Sequence, residues 1–256
     1  MLLEACLNGS RTRDDHARCP ITPGEVAADG AAAVAAGAGA LHVHPRDPDG
    51  AESLLDEDVS ATLHALREVV KAPVGVTTGA WALPDPEERL RVIAGWSIVP
   101  DFASVNLHEA GAVEIAEMLL ARGVGIEAGV WTPDAAALLV ASGLAPRCLR
   151  ILVEPFDTTP EAALATVDAI ETVLDDGAPD TDRLLHGIGD TAWEMIAEAA
   201  RRGHDTRVGL EDTLRLPDGV RAADNGELIR TALLHHREAE VEVEPVPVED
   251  LRESPA

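Results

Sequence analysis

The chain has 256 residues, 46% of them hydrophobic, enough to bury a sizeable core within one domain. Its formal net charge of −26 excludes a nucleic-acid partner, because the phosphates would be repelled. No apolar run approaches the roughly 20 residues of a membrane span, so no membrane partner is expected.

Residues 1–7 carry Glu4 and no basic segment, which does not read as a signal peptide. Cys6, Cys19 and Cys148 are odd in number and unpaired by spacing, as suits a reducing compartment. A cytoplasmic protein is expected. Lys71 is the only lysine and precedes a predicted strand. That is the wrong end of a barrel strand for a Schiff base, so carbonyl chemistry needs another electrophile, such as a metal.

Strand-like runs alternate with helical patterns along the chain. Strands are predicted over 2–7, 40–44, 74–77, 102–106, 125–128, 149–154, 184–186 and 206–210, with a last helix over 222–237. Four helix starts share one device, a capping residue followed by proline: Thr22-Pro23, Asp85-Pro86, Thr132-Pro133 and Thr159-Pro160. At the first, Glu25 completes a capping box. Eight βα units in this length predict a (β/α)8 TIM barrel. The alternative, a doubly wound open sheet, lacks its usual glycine-rich phosphate loop here. A single barrel domain over 1–237 is expected, with an extended or loosely packed tail over 238–256 that reaches a neighbouring subunit in a homo-oligomer.

A barrel active site forms at the C-terminal strand ends. There the chain offers Asn8, His42, His44, Thr77, Thr78, Asn106, His108, Glu127, Glu154, His186, Glu211 and Asp212. Within Leu41-His42-Val43-His44-Pro45-Arg46-Asp47, strand alternation puts His42 and His44 on one face, where two imidazoles can hold one metal ion. The plainer reading is two unrelated strand histidines. In Arg207-Val208-Gly209-Leu210-Glu211-Asp212, Arg207 and Glu211 share a face. The last strand of a closed barrel lies beside the first, so Glu211 can complete an open two-histidine, one-carboxylate zinc site. Arg207 would orient Asp212 or neutralise a substrate anion, or simply form a rim ion pair.

These motifs together resemble the β-keto acid cleavage enzymes. The resemblance rests on Leu7-Asn8-Gly9, Pro20-Ile21-Thr22-Pro23-Gly24-Glu25, Ala36-Gly37-Ala38, the His42-to-Asp47 run, Thr77-Thr78-Gly79, Ser104-Val105-Asn106 and the Arg207-to-Asp212 run. It implies one Zn2+ per chain on His42, His44 and Glu211. It also implies acetyl-CoA as co-substrate for exchange with a small β-keto acid, giving acetoacetate and a new acyl-CoA. Asp212, held by Arg207, is implied as the base acting on the acetyl methyl group. Thr77 and Ser104 match substrate-contacting positions, and Thr78, Asn106, Arg46 and Glu127 are expected beside them.

Two departures concern specificity. The family's aminohexanoate-cleaving member carries acids where this chain has Arg11 and, by alignment, Gly129. Arg11 is therefore expected to favour a neutral or acidic substrate over an aminated one. A rival reading is a metal-dependent amidohydrolase. Such enzymes want further histidines from strands five and six, which here end in acids. A third is an idle barrel serving as a binding module.

Overall fold

The computed structural model describes residues 1–243. Eight parallel strands alternate with eight α-helices, giving the expected (β/α)8 barrel. The elements run β1 (Leu3–Cys6), α1 (Pro23–Ala36), β2 (Ala40–Val43), α2 (Asp56–Val69), β3 (Val74–Thr77), α3 (Pro86–Ala94), β4 (Phe102–Asn106) and α4 (Ala112–Ala121). They continue with β5 (Gly125–Val130), α5 (Pro133–Ser142), β6 (Arg150–Val153), α6 (Pro160–Gly177), β7 (Arg183–Leu185), α7 (Ala192–Arg202), β8 (Thr206–Val208) and α8 (Asn225–Val243).

The sheet order β7-β6-β5-β4-β3-β2-β1-β8 sets β8 beside β1. The ring is completed just before β8, where Leu185 N donates to Asp205 O (2.9 Å) and Asp205 N donates to Arg183 O (3.0 Å). Gly209 permits the tight β1–β8 seam beyond the strands: a Cβ there would collide with the backbone of Cys6.

All four Pro-marked starts are helix N-termini. Thr22, Asp85, Thr132 and Thr159 each accept a backbone N–H with the side chain, and Glu25 closes the reciprocal capping box with Thr22. The outward strand face, including Leu41, Val43, Val76, Val105, Ile126 and Ile151, packs against buried helix residues such as Leu63, Ile115, Leu139 and Ile170. That cylindrical layer is the main core.

The barrel interior mixes charged groups with apolar ones such as Phe102. Below His42 lie Glu4, Glu127 and Arg150. Arg150 Nε donates to Glu127 Oε1 at 2.5 Å, and Arg150 Nη2 donates to Glu4 Oε2 at 3.4 Å. Burial, and then the neighbouring Glu127 charge, push the Glu4 carboxyl well above the usual range. Arg150 thus bridges the two buried carboxyl groups of the barrel floor.

One expectation changes at the C-terminus. Helix α8 runs to Val243, so the tail expected from residue 238 is helical over its first six positions. The amphipathic pattern continues through His236 and Ala239, both buried, and Ala239 packs on Ala197 and Ala200 of α7. Residues 244–256 lie outside the described residues.

Candidate active site

Strand pleat and the end of β2 place the two imidazoles. His42 lies within β2 and His44 just beyond it, where Pro45 stops the ladder. Asn8, past the end of β1, clips the His44 backbone twice: His44 N donates to Asn8 Oδ1 and Asn8 Nδ2 donates to His44 O, both at 2.9 Å. Glu211, past β8, brings Oε2 to 3.9 Å from His42 Nε2 and 3.6 Å from His44 Nε2. Gly9 (φ +51°) makes room for it, since a Cβ there would run into the Glu211 side chain.

Electrostatics prepare these groups as donors. Burial lowers the His42 pKa to about 4, so the ring is neutral at pH 7. Burial raises Glu211, but Arg207 first, then the two histidines, outweigh it and bring the carboxyl to about 2. Glu211 Oε2 is buried and has no hydrogen-bond partner, although it faces both Nε2 atoms. An anionic oxygen and two imidazole nitrogens converging on one point are the donor set of a divalent cation.

The surroundings hold this trio in place. His44 Nδ1 donates to Glu52 Oε2 at 2.6 Å, which leaves Nε2 as the free lone pair. Glu52 is itself held by the Trp81 indole N–H at 2.8 Å, and that indole stacks 6.0 Å from the His44 ring. Arg207 Nη2 donates to Glu211 Oε1 and Asp212 Oδ1, each at 2.8 Å. His186 is wholly buried between two acids: Nδ1 is 3.6 Å from Asp212 Oδ1, and Nε2 is 3.5 Å from Glu154 Oε1. His186 was among the strand-end groups read from the sequence, whereas Glu52 and Trp81 were not singled out as parts of this site. Glu52 reaches His44 through the loop after β2, a contact that strand parity does not predict.

A cavity of about 360 Å³ opens over the trio at the C-terminal mouth. Of the expected residues, Arg11, His42, His44, Thr77, Ser104, Asn106, Arg207 and Glu211 line it. Thr77 Oγ1 accepts from Gly79 N (3.1 Å), so its own hydroxyl hydrogen is free to donate inward. Arg11 Nη1 lies 4.0 Å from Asp15 Oδ1, and both residues reach the cavity.

Three expected binding residues lie elsewhere. Thr78 points away and donates its hydroxyl to Ser104 O (2.7 Å). Arg46 turns beneath the β1 loop, binding the carbonyls of Gly9 and of Arg11. Glu127 is one layer too deep, ion-paired to Arg150 in the barrel floor. Glu154 is the acid from this part of the barrel that lines the cavity. Asp212 is fully buried and does not line it. Burial raises its carboxyl above the usual range despite Arg207 and His186.

A parallel barrel with two histidines, a carboxylate and further buried acids gathered at its C-terminal mouth has the layout of an enzyme active site. Comparison with known proteins narrows the class. The model of the beta-keto acid cleavage enzyme family matches residues 1–254, and the chain belongs to that family. It is thus an enzyme that cleaves a carbon–carbon bond of a β-keto acid. A 3-keto-5-aminohexanoate cleavage enzyme of Fusobacterium nucleatum is 24% identical over 251 residues, covering 90% of this chain and 88% of that protein. The enzyme of the same name from Acetoanaerobium sticklandii is 23% identical over 252 residues, covering 90% and 89%.

Among solved structures, a ternary complex of ObcA with a C4-CoA adduct and oxalate superposes with a TM-score of 0.70 at 16% identity. The match covers 88% of this chain and spans 64% of the ObcA chain. A 3-dehydroquinate dehydratase from Geobacillus kaustophilus HTA426 gives 0.62 at 13% identity, covering 94% and 90%. These likenesses bear on the fold. No helix among the described residues is long and apolar enough to cross a membrane.

Proposed function

We propose that the enzyme exchanges acyl groups between a β-keto acid and acetyl-CoA, releasing acetoacetate and a new acyl-CoA, with one zinc ion held by His42, His44 and Glu211. The observation that carries this is the convergence of two free Nε2 atoms and an unpartnered Glu211 oxygen beneath an open cavity. Three protein ligands leave positions for substrate oxygens, which is the arrangement of a catalytic site. When bound, the metal supplies Lewis acidity that stabilises negative charge developing on the β-keto oxygens.

Product balance decides which carbon loses a proton. In acetoacetate the acetyl group keeps its methyl and gains the CH2–carboxylate of the β-keto acid. The deprotonated carbon is therefore the methylene between keto and carboxylate groups, rather than the acetyl methyl that the family resemblance implied. Asp212 is the proposed acceptor of that proton. Its Oδ2 is free while Oδ1 is held by Arg207, so the arginine positions the carboxylate without consuming it. His186, between Asp212 and Glu154, gives the proton a route to an acid in the cavity wall. Thr77 and Ser104 offer hydroxyl donors to the keto acid, and Arg11 disfavours an ammonium nearby.

A homo-oligomer in the cytoplasm is part of the same reading. The test is metal analysis of the purified protein, followed by a screen of β-keto acids with acetyl-CoA in which acetoacetate is measured. Acetoacetate formation that stops on chelation and returns with Zn2+ supports the proposal. Exchange that persists in metal-free protein, or none with any β-keto acid, would contradict it.

A further inference from the structure

The cavity lining is divided. The ligand trio, Thr77 and Ser104 make a polar arc from β8 round to β4, whereas Leu152, Trp131, Phe156 and Ile188 contribute an apolar arc from the β5, β6 and β7 side. The chain has four Trp, two Phe and no Tyr, yet Trp81, Trp131 and Phe156 all line this one cavity. Trp131 and Phe156 are stacked, with centroids 3.8 Å apart and planes at 27°. His108 covers another side of Trp131 at 4.0 Å. The indole N–H of Trp131 donates to Glu154 Oε2 at 3.0 Å, which fixes the ring plane.

Phe156 nevertheless remains 48% exposed. A fixed, half-open aromatic face in so aromatic-poor a chain is built to be covered by something flat and apolar. Glu154 Oε2 accepts from the Trp131 indole N–H and Oε1 lies 3.5 Å from His186 Nε2, so the one carboxylate of this arc is turned toward its own neighbours rather than toward an amino group on the substrate.

Resting on the acyl-exchange reading above, we propose that the preferred substrate is a β-keto acid with a distal aryl group that packs on the open face of Phe156, the outer ring of its stack with Trp131, its keto and carboxylate oxygens held at the polar arc. Small alkyl and amino-bearing acids leave the aromatic face uncovered.

The experiment uses the metal-loaded, full-length protein with 5-phenyl-3-oxopentanoate, 3-oxohexanoate and 5-amino-3-oxohexanoate. Binding is followed by tryptophan fluorescence without acetyl-CoA, and kcat/KM by acetoacetate release with it. The phenyl compound is expected to exceed the other two by about tenfold, the usual worth of one aromatic contact. Phe156→Ala is expected to remove that advantage and Phe156→Tyr to keep it. A preference for the amino or propyl compound, or a phenyl advantage untouched in Phe156→Ala, overturns the proposal. If the phenyl compound binds best and loses its advantage in Phe156→Ala while no acid yields acetoacetate, the aryl site stands and the acyl-exchange reading fails. Absence of both binding and turnover overturns both.

Discussion

At the scale of single residues, the His44–Glu52 contact matters because it decides which nitrogen is left for a metal. With Nδ1–H donated to Glu52 at 2.6 Å, the lone pair sits on Nε2, the atom nearest Glu211. Glu52→Gln weakens that orientation without touching the ligand set. Zinc affinity, measured by competition with a chelator, is expected to fall ~10–100-fold, the usual effect of losing such a partner. Unchanged affinity would remove Glu52 from the account. Asp212 has a different role, because it contacts Arg207 and His186 but none of the three ligands at bonding range. Asp212→Asn is expected to keep its metal and lose kcat by roughly 10²–10⁴-fold. Near-wild-type turnover in that variant would move the proton acceptor to Glu154.

At the scale of elements, Gly9 links the β1 loop to the ligand that follows β8. A side chain there meets Glu211 directly and also opposes the positive φ of that residue. Gly9→Ala is therefore expected to cost metal occupancy, read by metal analysis, while far-UV circular dichroism still reports a folded barrel. Normal zinc content in Gly9→Ala would refute the packing argument. The outer helices depend on ion clusters of their own. Glu171 of α6 binds Arg202 of α7 and His204 just beyond it, the latter at 2.5 Å. Burial raises the Glu171 carboxyl, but His204 and Arg202 bring it down to about 2. A depressed carboxylate pKa gives stability that is present above the unfolded value near 4.5 and lost as pH falls toward 2. Glu171→Gln is accordingly expected to be less stable to urea than wild type at pH 7, with the difference shrinking below about pH 4.5. A pH-independent difference would contradict this.

At the scale of the whole molecule, what could be read from the sequence followed from periodicity and punctuation. The four cap–proline pairs mark real helix starts, and each of the eight strand-like runs overlaps an observed strand. The parity of His42, Arg207 and Glu211 was legible for the same reason: side-chain alternation is a local rule, and the closure of β8 on β1 follows from the barrel. Depth was not legible. Glu127 and Glu154 both looked like strand-end acids, yet the stagger of the barrel puts one in the floor and the other in the cavity wall. Contacts made by loops, such as Glu52 on His44 or Arg46 on the Gly9 carbonyl, obey no period and surface only in three dimensions. The end of α8 was placed early because Glu-rich residues read as solvated tail, whereas Ala239 is in fact a packing position.

The central claim is that His42, His44 and Glu211 form one metal centre at the cavity base. An anomalous difference map collected above the zinc absorption edge, on crystals grown with Zn2+, addresses it most directly. A single strong peak is expected between His42 Nε2, His44 Nε2 and Glu211 Oε2, at about 2.0–2.2 Å from each. A peak on the Glu4, His42 and Glu127 cluster in the barrel floor, the other group of donors among the described residues, or no peak in catalytically active protein, would contradict the account.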